Sequence, residues 1–281
     1  MKTFKEYLTE EEILLEKLIT FGGKAYPKFG NVVILAGGAG SGKGFVKDNL
    51  IGLEGIGFDV DELKKMAIQS VGIRKTVKTK LGIDLQSLDL KNSEHVGTLH
   101  DVIGDYLNLP NKRTETVYRS ILTADPERKP NLIFDVTLKN MKKLADISRQ
   151  IQRVGYAKEN IHIVWIVNDI EIAQKQNKER DRRVPAEILI DTHRGVSQTM
   201  RQLVDDESAL AKYMNGDLVF AFNKIKVDSE LAVSGKGGKY IKDSNYVYIK
   251  RRGQAPLGYS AISGEMRKKI ASYVPKNVSW D

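Results

Sequence analysis

Residues 31–44, NVVILAGGAGSGKG, constrain this chain more than any other stretch. Residues 31–36 form a short apolar run rich in β-branched side chains. Such a run without polar alternation reads as a strand buried on both faces, the environment of a parallel sheet. A glycine-rich turn follows at once, and then FVKDNL, which is competent to form a helix. Strand, glycine turn and helix in that order commit the chain to an α/β arrangement before anything else is read.

The turn is Gly37-Gly38-Ala39-Gly40-Ser41-Gly42-Lys43-Gly44 and fits G-x-x-x-x-G-K. Glycines let the backbone curl tightly and aim successive N–H groups inward at a polyphosphate. The helix that follows adds the positive end of its dipole, and Lys43 supplies a mobile point charge for the β- and γ-phosphates. The Ser or Thr expected after the lysine is replaced by Gly44, and Phe45 comes next. The usual magnesium-binding hydroxyl is therefore absent. Ser41, water or carboxylates from other strands must serve a metal instead. A second glycine-rich stretch, SGKGGK at 234–239, lacks the preceding strand and reads as a hairpin loop.

Further apolar runs follow: NLIF at 131–134, IHIVWIV at 161–167 and LVFAF at 218–222. Between them lie helical patterns over 62–128 (broken near Gly82 and Pro110), 139–153 and 169–212 (interrupted near Pro185). Alternation of this kind predicts a mainly parallel sheet flanked by helices, the P-loop NTPase fold. Residues 4–21 have apolar positions at helical spacing and predict an amphipathic helix. After residue 223, KIKVDSELAV and NYVYIKR alternate apolar and polar residues and predict an antiparallel addition. The expected organisation is a helical prefix over 1–30, a P-loop domain over 31–215 and a small basic β-rich extension over 216–281.

Composition narrows the function classes. No cysteine is present, which excludes disulfides, thiol nucleophiles and Cys-ligated metal. The four histidines, at 95, 100, 162 and 193, have no metal-ligand spacing. No apolar run reaches the length of a membrane span and the charged N-terminus does not resemble a secretory signal, so a cytoplasmic protein without membrane contact is expected. Net charge is +9, and residues 216–281 carry 12 Lys and Arg against six Asp and Glu. That basic end, with the run Lys250-Arg251-Arg252 and Tyr240, Tyr246, Tyr248 and Tyr259, suits either a nucleic-acid strand or a β-addition whose tyrosines pack on the core.

Phosphoryl transfer needs a carboxylate at the acceptor hydroxyl, an acid for the metal and cations over the moving phosphoryl group. Asp59 and Asp61, in D-V-D-E-L, follow the presumed second strand, and since alternate residues on a strand share a face both can point into one crevice. Asp61 is the candidate general base, and Asp59 a candidate for metal or substrate; the competing role for Asp61 is to cap the helix behind it. Asp135 ends the NLIF run, where the carboxyl end of a parallel strand faces ligands. It is the candidate metal acid, with Thr137 just beyond as a candidate substrate contact. Arg180 and Arg183, in K-E-R-D-R-R-V-P, are three apart and would share a helix face over a triphosphate; a solvated charged helix is the alternative.

The ordered set GGAGSGKG, DVDEL, NLIFDVTLK and RDRRVP followed by His193 resembles the zeta-toxin-like P-loop kinases of toxin–antitoxin systems and bacteriophages, over roughly residues 31–215. The G-K-G of the loop is also similar to adenylate kinases. The resemblance implies a kinase that moves the γ-phosphoryl group of ATP or GTP, with Mg2+, to a hydroxyl of a nucleotide sugar, nucleotide or nucleic acid. It implies phosphate binding by Lys43, base catalysis by Asp61 and charge stabilisation by Arg180 and Arg183. Val136 stands where the family pattern D-G-T has glycine. The rival expectations are a nucleic-acid-binding P-loop NTPase and a nucleotide-binding module without transfer activity.

Overall fold

The computed structural model describes residues 18–179, 183–224, 243–255, 258–276 and 280. Six strands form one sheet in the order β2-β3-β1-β4-β5-β6. They are β1 (Val32–Ala36), β2 (Ile56–Phe58), β3 (Leu132–Val136), β4 (Ile161–Val167), β5 (Leu218–Lys224) and β6 (Asp243–Lys250). The first five in chain order are parallel, with Ala36 opposite Val136 on one side and Trp165 on the other. Strand β6 is antiparallel to β5. The fold is α/β, a mainly parallel sheet flanked by helices. Every residue of β1 and of β4 is buried, which is why both read as unbroken apolar runs.

Alternation along β1 feeds two cores. Val33 and Leu35 pack with Val46 and Leu50 of α1 (Lys43–Leu50). Val32, Ile34 and Ala36 face the other way, into a core shared with α6 (Met141–Arg153) and α8 (Ala186–Asp205). The connection after β1 thus crosses one face of the sheet, and those after β3 and β4 cross the other. Loops leaving neighbouring strands toward opposite faces open a crevice at the carboxyl ends of the strands.

Between β2 and β3 lies a helical insert: α2 (Val60–Gln69), α3 (Val71–Leu81), α4 (Ser93–Asp101), a π-turn (Val102–Tyr106) and α5 (Leu109–Leu122). Leu63, Ala67, Val77, Leu85, Leu99 and Ile103 give it a core of its own. The side chains of Asp59, Ser70 and Asn92 cap its helices. Gly82 ends α3 in the left-handed conformation, as the break at that glycine predicts. The break predicted near Pro110 falls at residues 107–108, and Pro110 itself sits in the first turn of α5, where its missing N–H costs nothing.

The remaining α-helices among the described residues are α7 (Ile170–Glu179), α9 (Glu207–Tyr213) and α10 (Gly264–Tyr273). Helix α10 was not evident in the sequence pattern. Residues 18–21 are not helical as predicted. Ile19 N–H donates to the Leu50 carbonyl and Phe21 forms a bridge with Lys24, because this segment lies against α1 and the edge of the sheet. Residues 1–17 and the SGKGGK stretch at 234–239 lie outside the described residues.

The aromatic and basic groups of the C-terminal region are largely engaged within the protein. Tyr246 Oη donates to the Leu18 carbonyl, and Tyr248 Oη accepts from Thr20 N–H. The Arg251 guanidinium lies 3.2 Å from the centre of the Tyr248 ring, and that of Arg201 lies 3.2 Å from the centre of the Tyr259 ring. Lys250 is buried, and its ammonium donates to Asn215 Oδ1 and to the carbonyls of Asn215, Gly216 and Arg251. These contacts are those of the packing reading of the tyrosines, while Arg251 and Arg252 are exposed. Tyr240 lies outside the described residues.

Candidate phosphate-loop active site

The glycine turn leaves the carboxyl end of β1 and enters α1 at the crevice. Gly40 and Gly42 have φ of 73° and 89°, a region open to glycine at little cost, and Gly42 is the N-cap of α1. Gly37 and Gly38 are required for a different reason. A Cβ on Gly37 would stand 2.5 Å from Ser41 Oγ, and one on Gly38 would stand 2.2 Å from the His193 ring. Gly44 has nothing within 4 Å of the position a Cβ would take. The hydroxyl missing there is thus a chemical choice and not a steric one.

Lys43 opens α1, and its ammonium donates to the carbonyls of Gly37 at 2.9 Å and Gly38 at 3.4 Å. Asp135, in β3 next to β1, places Oδ1 3.6 Å from the same nitrogen. Burial pushes the Asp135 carboxyl above its ordinary range; Lys43 opposes that shift, and the charges of Asp59 and Asp61 add to it. Four of the residues singled out in the sequence therefore share one electrostatic neighbourhood: Lys43, Asp59, Asp61 and Asp135.

The strand-face argument for Asp59 and Asp61 is corrected by the structure. Strand β2 stops at Phe58, and Asp59 is the N-cap of α2, its Oδ1 accepting from the Asp61 N–H at 2.8 Å. The helix begins at Val60, so the cap is Asp59 and not Asp61. Asp61 stands in the first turn, half-buried, with the Lys64 ammonium 3.8 Å from its Oδ1. Arg113 of α5 braces the same corner, donating to the Gly57 carbonyl at 2.9 Å and pairing with Glu62 at 3.2 Å.

Thr137 follows β3 and is half-buried. Arg180 lies outside the described residues. Arg183 is exposed, and its backbone N–H donates to the Leu90 carbonyl at 3.2 Å, which joins the end of the basic segment to the helical insert. Asn177 clips that end to α7: its Nδ2 donates to the Val184 carbonyl at 2.6 Å, and its Oδ1 accepts from the Val184 N–H at 3.0 Å.

Several residues that hold the loop carried no role in the sequence reading. Asn168, just past β4, donates to the Gly40 carbonyl, and Asn223, near the end of β5, donates to the Ser41 carbonyl. Both are buried, and each directly follows an apolar run. That position, at the carboxyl end of a parallel strand, is the signal by which they were findable. Thr192 and His193 of α8 hold the backbone of Ala39.

Magnesium fits part of this donor set. Asp135 and Asp59 offer hard oxygens; burial first, and the charges of Asp59 and Asp61 after it, raise the Asp135 carboxyl, and a divalent cation would oppose both effects. Ser41 does not fit: it is 1% exposed, with its Oγ against Gly37 and without a hydrogen-bond partner. Among the described residues no three acids or histidines converge on one point. A magnesium ion here would be held by one or two carboxylates, with phosphate oxygens and water completing its shell.

Fold and site together define an α/β protein with a glycine-rich turn and its lysine at the switch point of a mainly parallel sheet. No protein-family model matches the chain, and no curated protein matches it. Solved structures do. A chain of the PezAT chromosomal toxin–antitoxin system of Streptococcus pneumoniae is 16% identical, with a TM-score of 0.40, over 77% of this chain and 75% of that one. The AvrRxo1-ORF1:AvrRxo1-ORF2 complex with sulphate ions matches at 13% identity and a TM-score of 0.46, and the complex with ATP at 12% and 0.45. Both cover 95% of this chain and 72% of theirs. At such identities and TM-scores these likenesses add nothing to what the site itself shows.

Proposed function

We propose that this chain is a kinase that transfers the γ-phosphoryl group of ATP or GTP to an alcohol hydroxyl. The observation that carries the reading is the placement of Asp135 Oδ1 3.6 Å from Lys43 Nζ at the mouth of the glycine turn, with Asp59 and Asp61 acting on the same carboxylate. A turn that only reversed the chain would not need a lysine at the start of a helix set against a strand-end carboxylate.

The roles follow from position. The amides of the turn and the N-terminus of α1 cradle the β- and γ-phosphates. Lys43 exchanges its present carbonyl partners for phosphate oxygens. Asp61 accepts the proton of the acceptor hydroxyl as its oxygen bonds to the γ-phosphorus. The bond from that phosphorus to the bridging oxygen breaks, and the nucleoside diphosphate leaves with the electron pair. Arg180 and Arg183 belong to the segment that would neutralise the charge spread over the moving group. Asp135 and Asp59 would hold magnesium, and the ion would supply positive charge to the bound phosphates.

The acceptor we favour is a small molecule, a nucleotide sugar or nucleotide. The internal engagement of Tyr246, Tyr248, Tyr259 and Lys250 supports this over a nucleic-acid hydroxyl. No described helix is long and apolar enough to cross a membrane.

The test offers γ-labelled ATP and magnesium with UDP-N-acetylglucosamine, nucleosides and oligonucleotides in parallel. Label is expected on a small-molecule acceptor. Lys43→Ala is expected to lose nucleotide binding. Asp61→Asn should keep binding while transfer falls by about two orders of magnitude or more. Label recovered only as free phosphate across the panel would refute the kinase reading in favour of a nucleotide hydrolase.

A further inference from the structure

Both polar groups of Ala39, in the middle of the phosphate loop, are held by adjacent residues of α8. The Ala39 N–H donates to Thr192 Oγ1 at 3.3 Å. The Ala39 carbonyl lies 2.9 Å from His193 Nε2. A carbonyl has no proton to give, so Nε2 carries the hydrogen and donates. The hydroxyl hydrogen of Thr192 is spent on the Leu189 carbonyl at 2.7 Å, which leaves its oxygen free to accept from Ala39.

The imidazole also lies against the loop. It is 5% exposed, and it leaves no room for a Cβ on Gly38. Its neighbours along the buried face of α8 are Leu189, Val196 and Met200. An apolar side chain at 193 would suit that face equally well but would leave the Ala39 carbonyl without its donor. Burial holds the ring neutral, pushed down to about 4 with the nearby Lys43 charge in support and the Ala39 hydrogen bond in opposition. Helix α8 also begins directly after the segment that carries Arg183, so one rigid element touches both the phosphate loop and the basic segment.

We propose that His193, assisted by Thr192, is the positioning residue of the phosphate loop. By fixing the Ala39 peptide from behind, it keeps the glycine turn in the shape that receives a nucleoside triphosphate, without touching the nucleotide. The proposal rests on the nucleotide reading of the loop.

The experiment measures the dissociation constant of a non-hydrolysable ATP analogue with magnesium by calorimetry, and the melting of each unliganded variant. The proteins are wild type, Lys43→Ala, His193→Leu, His193→Gln and Thr192→Val. The Leu variant is expected to bind about tenfold or more weakly, the effect of leaving a buried carbonyl without its donor. The Gln variant, whose amide nitrogen reaches the place of Nε2, should stay within about threefold of wild type. Thr192→Val should weaken binding while its unliganded melting stays near wild type.

If His193→Leu does not fold, Gln against Thr192→Val decides. Retained affinity in the first and loss in the second support the proposal. A folded His193→Leu or a Thr192→Val that binds like wild type, while Lys43→Ala loses binding, overturns the positioning role and leaves the loop reading intact. Lys43→Ala binding like wild type would remove the loop reading and the proposal together.

Discussion

At His193 the free energy of protonation couples the site to the stability of the fold. The ring is buried, and its folded value of about 4 lies below the ordinary histidine value of 6.5. Above pH 6.5 both folded and unfolded rings are neutral, and the full stability is present. Between 6.5 and about 4 only the unfolded ring binds a proton, so stability falls by about 1.4 kcal/mol per pH unit, roughly 3 kcal/mol in all. Asp135 acts in the opposite sense. Its raised carboxyl favours the folded state at low pH and loses that contribution as pH rises through its folded value. Asp135 is common to wild type and His193→Gln, so a comparison of the two isolates the histidine. The melting temperature of wild type should fall faster than that of His193→Gln as pH drops from 7 to 4.5. Parallel melting curves across that range would show that His193 takes its proton in the folded state as readily as in the unfolded one.

At the scale of elements, the loop and α1 make opposite demands on two glycines. Gly38 is fixed by tertiary contact, since an added methyl would meet the His193 ring at 2.2 Å. Overpacking of this kind costs about 1–3 kcal/mol. Gly44 is the second residue of α1 with open space beside it, so alanine there gains helix propensity of up to about 1 kcal/mol. Gly38→Ala should therefore melt below wild type and Gly44→Ala at or above it; the reverse order in thermal melts would contradict the loop packing. Much of this region was legible in the sequence, because the signals are local. A doubly buried strand must be an apolar run, and a phosphate turn must be glycine-rich. Asp135 was legible for the same reason, as an acid at the end of an apolar strand. The cap at Asp59 was not foreseen, and capping was weighed only as a competing role for Asp61, because β2 has only three residues, too few to show where strand gives way to helix. Asn168 and Asn223 carried a local signal, their place directly after apolar runs, but Thr192 and His193 meet the loop from residues more than a hundred positions away, and no local spacing encodes such contacts. Helix α10 escaped because its sequence, GEMRKKIASY, has only a weak apolar stripe.

At the scale of the whole molecule, the C-terminal region is bound into the same core as the phosphate loop's strand. Trp280 is fully buried in the cluster that includes Ile34 and Ala36 of β1. Its ring lies 5.6 Å from that of Trp165 in β4 and 6.0 Å from that of Phe220 in β5, and its Nε1 donates to Ser197 Oγ of α8 at 2.8 Å. The helix that carries His193 is thus fastened from behind by a residue next to the last one in the sequence. Replacing a buried Trp by Ala removes about 3–5 kcal/mol, a large share of a typical domain's 5–15 kcal/mol. Trp280→Ala should lower the melting temperature by roughly 10 °C or more in one cooperative transition. It should also weaken nucleotide binding more than it would if residues 216–281 were a detachable tail, because α8 positions Ala39. Circular dichroism melts and the same calorimetric titration measure both effects. An unchanged melting temperature would mean that Trp280 contributes nothing to the core, and unchanged nucleotide affinity in a destabilised variant would mean that α8 holds the loop without help from the far side of the sheet.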